Sequence, residues 1–196
     1  MILEIASTTE KAMVMAVDVR LMTADQLWTM PDDGRRVELV RGELVDMPPP
    51  AGQHGAIVAN LVGLLHAPIK GQGLGRVFAE SGVVIERRPD TVRAPDVSVR
   101  LGGPTTARGQ AAGYSDQLPT IVFEIVSPSD SAIAVQRKVQ SYLRAGVPMV
   151  IVLWPDQEEV TVATSEQGWV VLTVDEKLDL GRFVAGLSFG VSEIFE

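Results

Sequence analysis

Three residues combine types and surroundings that could do chemistry: Asp96, Glu124 and Lys138. Glu124 interrupts a run of apolar and β-branched residues from Thr120 to Val126, bounded by Pro119 and Pro128. Such a run reads as a buried central strand. A charge there without a partner is costly, so it calls for a cation, a metal ion or a mouth of solvent beside it. Asp96 follows Pro95 and opens the alternating run Val97-Ser98-Val99-Arg100, in which Asp96, Ser98 and Arg100 share one face. Hydrolysis of a phosphodiester needs charge stabilised on the phosphate and a nucleophile made from water. One or two Mg²⁺ ions held by carboxylates meet both needs. Mg²⁺ favours few carboxylates and several waters, so Asp96, Glu124 and a backbone carbonyl would suffice. A lysine beside them can orient the water or stabilise the developing charge. Alone the triplet is unspecific, because any acidic protein offers such sets.

The elements that must position these groups are legible around Glu124. Ser127-Pro128-Ser129-Asp130 stops the strand, and Asp130 is expected to cap a helix. Val135, Val139, Tyr142 and Leu143 then fall on one face of a helix over 131–145. Gly146 is expected as its left-handed end, Pro148 prevents continuation, and Val147 to Leu153 reads as a second buried strand. The unit is strand, helix, strand, with a crossover long enough for parallel pairing. Lys138 lies at the edge of the apolar stripe, where it could snorkel to solvent or reach over the sheet toward Glu124.

Upstream, Thr23 and Gln26 form a capping-box pattern for a short helix ending near Met30. Arg36 to Asp46 predicts a hairpin turning at Arg41-Gly42, with Glu38 and Glu43 each as apt to be surface residues as site residues. Ile57, Leu61, Leu64 and Leu65 predict a helix from Gln53 to about Ala67, terminated by Pro68. His54, one turn before Ile57, is more often a packing residue than a ligand in such a position. Gly71 to Gly75 resembles a phosphate loop only faintly, since it follows a helix and precedes a strand, the reverse of the order that chemistry needs. Strands are expected over 74–80 and 83–87, a plain turn at Pro89-Asp90-Thr91, a long loop over 101–117, a meander over 159–173, and scattered apolar anchors over 180–195.

The bulk numbers bound the function. At 196 residues, 46% hydrophobic and 21% charged, the chain is long enough for one domain with a sizeable core. The absence of cysteine removes disulfides and thiolate zinc sites and fits a reducing cytoplasm. A net charge of −8 argues against a strongly basic nucleic-acid coat, though not against a nuclease whose acidic metal site binds cations. No apolar run approaches the length of a membrane helix, and residues 12–17 make no signal peptide. Residues 1–20 are expected to be an extension and 21–196 the domain.

Over 21–196 the chain resembles the Uma-type family of candidate restriction endonucleases, within the PD-(D/E)XK nuclease superfamily. The carriers are Val37-Glu38-Leu39-Val40-Arg41-Gly42-Glu43-Leu44, His54, Arg93-Ala94-Pro95-Asp96-Val97, Phe123-Glu124-Ile125-Val126-Ser127-Pro128-Ser129-Asp130, and Lys138 with Tyr142 and Gly146-Val147-Pro148. The resemblance implies an α/β (mixed α+β) domain, restriction-endonuclease-like, with a mixed β-sheet flanked by helices. It implies Asp96 and Glu124 as metal ligands and Glu43 as an accessory acid. The wider superfamily carries its lysine two residues after the acid, where this chain has Val126; the Uma-type pattern moves it to the next helix, matching Lys138. Departures fall at Val37, Arg41 and Met149-Val150. The expectation is a Mg²⁺- or Mn²⁺-dependent endonuclease acting on DNA, cytoplasmic and without a membrane partner, with a homodimer as one form it could take. The alternatives are a non-catalytic nuclease-like binding module and a Glu124–Lys138 pair that is merely structural.

Overall fold

The computed structural model describes residues 21–49, 52–103 and 112–196. The expected extension, 1–20, lies outside them, as does the middle of the loop expected over 101–117. In chain order the elements are α1 (Ala24–Trp28), β1 (Arg36–Val40), β2 (Glu43–Met47), α2 (Gly52–Gly71), β3 (Gly75–Ala79), β4 (Val83–Glu86), β5 (Thr91–Arg93), β6 (Val97–Leu101), β7 (Ile121–Ile125), α3 (Ala132–Ala145), β8 (Met149–Trp154), β9 (Glu159–Thr164), β10 (Gly168–Leu172), β11 (Lys177–Asp179), β12 (Ser188–Gly190) and α4 (Ser192–Phe195).

A six-stranded mixed sheet runs in the order β10-β9-β8-β7-β6-β3, and a four-stranded sheet in the order β2-β1-β5-β4. β7 and β8 pair in parallel, Ile121 opposite Met149 through Ile125 opposite Leu153, with α3 as the crossover. All five residues of β7 are buried, which is why its sequence reads as a continuous apolar run. Ile121, Phe123 and Ile125 face a core built with α2 and the C-terminal segment, where Ile57, Leu61, Leu65 and Ile69 meet Leu178, Leu180, Phe189 and Ile194. Val122 faces the other way, into a second core with α3 and β4, including Val139, Tyr142, Val83 and Ile85. Glu124 shares that second face. A third cluster joins α1 to the four-stranded sheet through Ala24, Leu27, Leu39, Val84 and Val92.

Local chemistry fixes the element ends. Thr23 and Gln26 form the expected reciprocal box at α1. The β1–β2 turn carries Arg41 at φ +52° and Gly42 at φ +82°; a side chain at Gly42 would also strike Leu21. Gly146 closes α3 at φ 103°. Asp90, expected in a plain turn, is instead buried: its carboxylate accepts the Ala24 N–H at 2.8 Å and so ties α1 to the β-structure.

Three further expectations are corrected. Pro68 does not end α2, which continues to Gly71. Proline removes one backbone N–H and crowds the preceding turn, but Ile69 completes an i, i+4 stripe with Ile57, Leu61 and Leu65 and is fully buried. That burial outweighs the lost hydrogen bond. The α3 cap is Ser131, whose hydroxyl accepts the Ala134 N–H; Asp130 turns back and accepts the Ser127 N–H at 2.8 Å, closing the turn that leaves β7. The tail is also more ordered than isolated anchors, since β11 and β12 pair antiparallel. Ile69→Ala is therefore expected to destabilise the protein by about 2–4 kcal/mol, as a fully buried large-to-small change does; urea denaturation checks it, and a loss near zero would mean that α2 ends before Pro68.

Candidate active site

The two acids meet because their strands are in register. β6 and β7 pair antiparallel, with Val97 opposite Phe123 and Ser98 opposite Val122. One step outward, Asp96 stands opposite Glu124, and directly opposed residues on neighbouring strands share a face. Pro95 has no N–H with which to carry β6 further, and the Asp96 carboxylate takes over: Oδ2 accepts the Ile125 N–H at 2.7 Å. This fixes the Asp96 side chain at the end of the ladder.

α3 supplies the cation. Lys138 and Tyr142 are four residues apart, on one helical face. Lys138 Nζ donates to Glu124 Oε2 at 2.7 Å, and the Tyr142 hydroxyl donates to Oε1 at 2.7 Å. Of the two paths open to Lys138 in the sequence, it takes the one toward Glu124. Its ammonium also lies 3.4 Å from Glu38 Oε1. Glu38, on β1, receives the Arg93 guanidinium at 2.6 Å and the Ala94 N–H at 3.0 Å. His54, in the first turn of α2, places Nε2 3.2 Å from Asp96 Oδ1, close enough for an ion pair but too poorly aligned for a hydrogen bond.

The electrostatics follow from burial and from the crowding of acids. Glu124 is 7% exposed. Burial pushes its pKa up to about 7; Lys138 opposes this, while Asp96 and Glu38 add to it. Burial alone would lower Lys138, but Glu124, Glu38 and Asp96 outweigh it and hold the ammonium charged, with its pKa raised. For Glu38 burial acts upward, yet Lys138, Arg93 and the Ala94 N–H bring the net shift below the ordinary carboxylate value. The contact with Asp96 raises His54, and burial together with Glu124 holds the Tyr142 hydroxyl protonated.

The cluster forms the floor of a cavity of about 630 Å³, whose walls include Arg36, Arg93 and Arg137. Asp96, Glu124 and Lys138 are brought together there, and His54 joins them. Glu43 is not: it sits exposed at the start of β2, outside the cavity lining, and the acid that β1 and β2 contribute is Glu38. The sequence could not choose between Glu38 and Glu43, because neither face of a short hairpin is marked as inner by its sequence. In the fold both faces of β1 are covered, Leu39 turning to α1 and Glu38 to the cavity.

The donor chemistry fits a divalent cation. Three carboxylates, Glu38, Asp96 and Glu124, face Lys138 and Arg93, with His54 a third cation only when protonated. Burial drives Glu124 toward neutrality despite an ammonium 2.7 Å away, and the neighbouring carboxylates Asp96 and Glu38 add to the shift. Each carboxylate oxygen can accept a second partner, so engagement by Lys138 and Tyr142 does not exhaust Glu124. Among the described residues no group of three or more acid or histidine ligands converges into a cage.

Residues 24–192 match a family model described as "Uma2: Putative restriction endonuclease". A solved structure described as a putative nuclease belonging to DUF820, from Anabaena variabilis ATCC 29413, is similar at 25% identity and a TM-score of 0.77, covering 89% of this chain and 97% of that one. No curated protein matches the chain significantly.

The raised Glu124 pKa sets the pH behaviour of the metal-free protein. A carboxyl whose pKa rises from 4.5 unfolded to about 7 folded contributes stability below pH 4.5 and loses it as pH rises through about 7. Glu124→Gln, which keeps the shape of the neutral acid, removes this dependence. Urea unfolding in EDTA is expected to show the variant gaining on the wild type as pH rises across that window. A constant difference would mean that Glu124 is charged throughout.

Proposed function

Because the chain belongs to the Uma2 family of putative restriction endonucleases, we propose that it is a divalent-metal-dependent endonuclease that hydrolyses phosphodiester bonds in DNA. The observation that carries this reading is the convergence of Asp96 and Glu124 on one face of the sheet, beneath Lys138, at the floor of a cavity with arginines in its walls. Asp96 and Glu124 are the residues that would hold Mg²⁺ or Mn²⁺. A bound ion would polarise phosphate oxygens and lower the pKa of a water molecule.

The chain's own residues have separable tasks in this reading. The Ile125 N–H orients Asp96, and Tyr142 orients Glu124. Lys138, held charged by the surrounding acids, acts as a hydrogen-bond donor rather than as a base: it orients the attacking water and offsets charge developing on the phosphate. Glu38, itself held by Arg93 and Ala94, keeps the ammonium over the site. Glu43, exposed outside the cavity, takes no part in this scheme. No helix among the described residues is long and apolar enough to cross a membrane, and a cytoplasmic setting belongs to the proposal.

One observation favours the alternative of a non-catalytic module: both Glu124 oxygens already have protein donors, as a purely structural ion pair would arrange. Metal titration separates the two readings. In the nuclease reading, calorimetry detects Mg²⁺ or Mn²⁺ binding that Asp96→Asn removes, and plasmid DNA is nicked or cut in the presence of either ion. Glu124→Gln is expected to abolish cleavage, and Lys138→Ala to lower it about 100-fold or more while metal binding persists. Undiminished cleavage by purified Glu124→Gln protein overturns the assignment; absence of metal binding in the wild type establishes the module.

A further inference from the structure

We propose that β10 is the edge through which two copies of this chain pair, joining their six-stranded sheets into one sheet across a two-fold axis. The proposal is independent of the catalytic reading. Among the described residues, β10 pairs only with β9, so its outer edge presents unpaired backbone N–H and C=O groups. Such edges are templates for another strand unless charge, brevity or cover blocks them.

The other edges of the two larger sheets, β2, β4 and β3, carry charged residues, and β10 carries none. β2 carries Glu43 and Asp46, and β3 carries Arg76. From Gly168 to Thr173 there is no charged residue, in a chain that is 21% charged. Trp169, Val170 and Val171 are 43, 45 and 54% exposed, the last more than most apolar side chains in the fold. Trp169 and Val171 lie opposite Ala163 and Thr161, while Val170 lies opposite Val162 on the other face. The exposed apolar surface therefore occupies both faces of the strand. A helix laid against β10 would cover one face; an added strand continues both.

A second copy fits this edge for two reasons. An antiparallel pair of identical strands has a two-fold axis between them, so β10 supplies its own complement and the contact closes at two. The strip is also neutral, so chains of net charge −8 meet where neither contributes like charge. In the paired assembly the two β7 strands stand seven strand spacings apart, about 34 Å at ~4.8 Å each. Each cavity is then complete within one chain, and loss of pairing leaves it intact.

The test uses the full chain. Light scattering after gel filtration is expected to find a dimer, and Val171→Lys is expected to weaken it about 100-fold or more, since each copy then brings a like charge to the seam. Circular dichroism and metal binding stay unchanged in that variant. The chain has no cysteine, so single cysteines at Trp169, Val170 and Val171 report only on this edge; at least one is expected to cross-link copies under mild oxidation, because residues facing each other across an antiparallel pair come within disulfide range. A monomeric wild type overturns the proposal, whether residues 1–20 or another protein then covers β10. A dimer that Val171→Lys leaves intact and that none of the three cysteines links overturns it equally.

Discussion

The structure turns on a carboxylate kept inside a sheet by two side chains of one helix. Glu124 lies on a strand buried from both sides, where an isolated charge would be unstable. Lys138 and Tyr142 reach it from one face of α3, each at 2.7 Å. The same helix packs Val139 against the sheet beside them, so the hydrophobic seam that docks α3 also sets the reach of the ammonium. The polar contacts and the packing fix the same geometry. Neither would hold alone: the seam without the pair would bury an orphan charge, and the pair without the seam would leave Lys138 free to turn to solvent.

The cluster is stable without being electrically satisfied. Lys138 and Arg93 together answer Glu38 well enough to lower its pKa, but Glu124 remains above its ordinary value. An ion pair favours the charged form of each partner, and burial opposes it. Here the lysine is shifted that way and the glutamate is not. Burial is the largest cause of that difference, and Asp96, which the β6–β7 register sets opposite Glu124 and which the Ile125 N–H prevents from swinging away, adds to it. A strand pairing that places two carboxylates face to face, in a cavity that admits solvent, leaves a position where an added cation relieves repulsion rather than creating it.

How much of this could be read from residues alone divides along physical lines. The unit from Thr120 to Leu153 was legible, because a fully buried strand, a helical stripe and a glycine–proline stop are local patterns; so were the capping box at Thr23 and the hairpin at Gly42. Glu124 was legible, since a charge in an oily run signals itself; Asp96 and Lys138 joined it only as an unspecific triplet that the family resemblance sharpened. What stayed hidden depends on long-range packing. Glu38 sits in a hairpin whose inner face is chosen by α1 and the cavity. Glu43, five residues away, was indistinguishable from it until the two sheets were placed. Pro68 was misread because a local rule was opposed by the distant burial of Ile69, and the contact of His54 with Asp96 depends on how α2 crosses the sheet.

The position of the lysine has a consequence for how such a site can change. A lysine on β7 would be fixed by the strand that carries the glutamate, and the pair would survive rearrangement of everything around it. Val126 lines the cavity at that place instead, and the ammonium comes from α3, fourteen residues after Glu124. The charge balance of the site therefore depends on helix–sheet packing, and a substitution at Val139 or Val135 that shifts α3 moves Lys138 without touching a polar group. In return, the strand's own face is left apolar beside the acids, and the cation can be held by a second acid, Glu38, from the other sheet. The site is thus assembled from three separate parts of the chain, and its geometry reports on whether all three are docked.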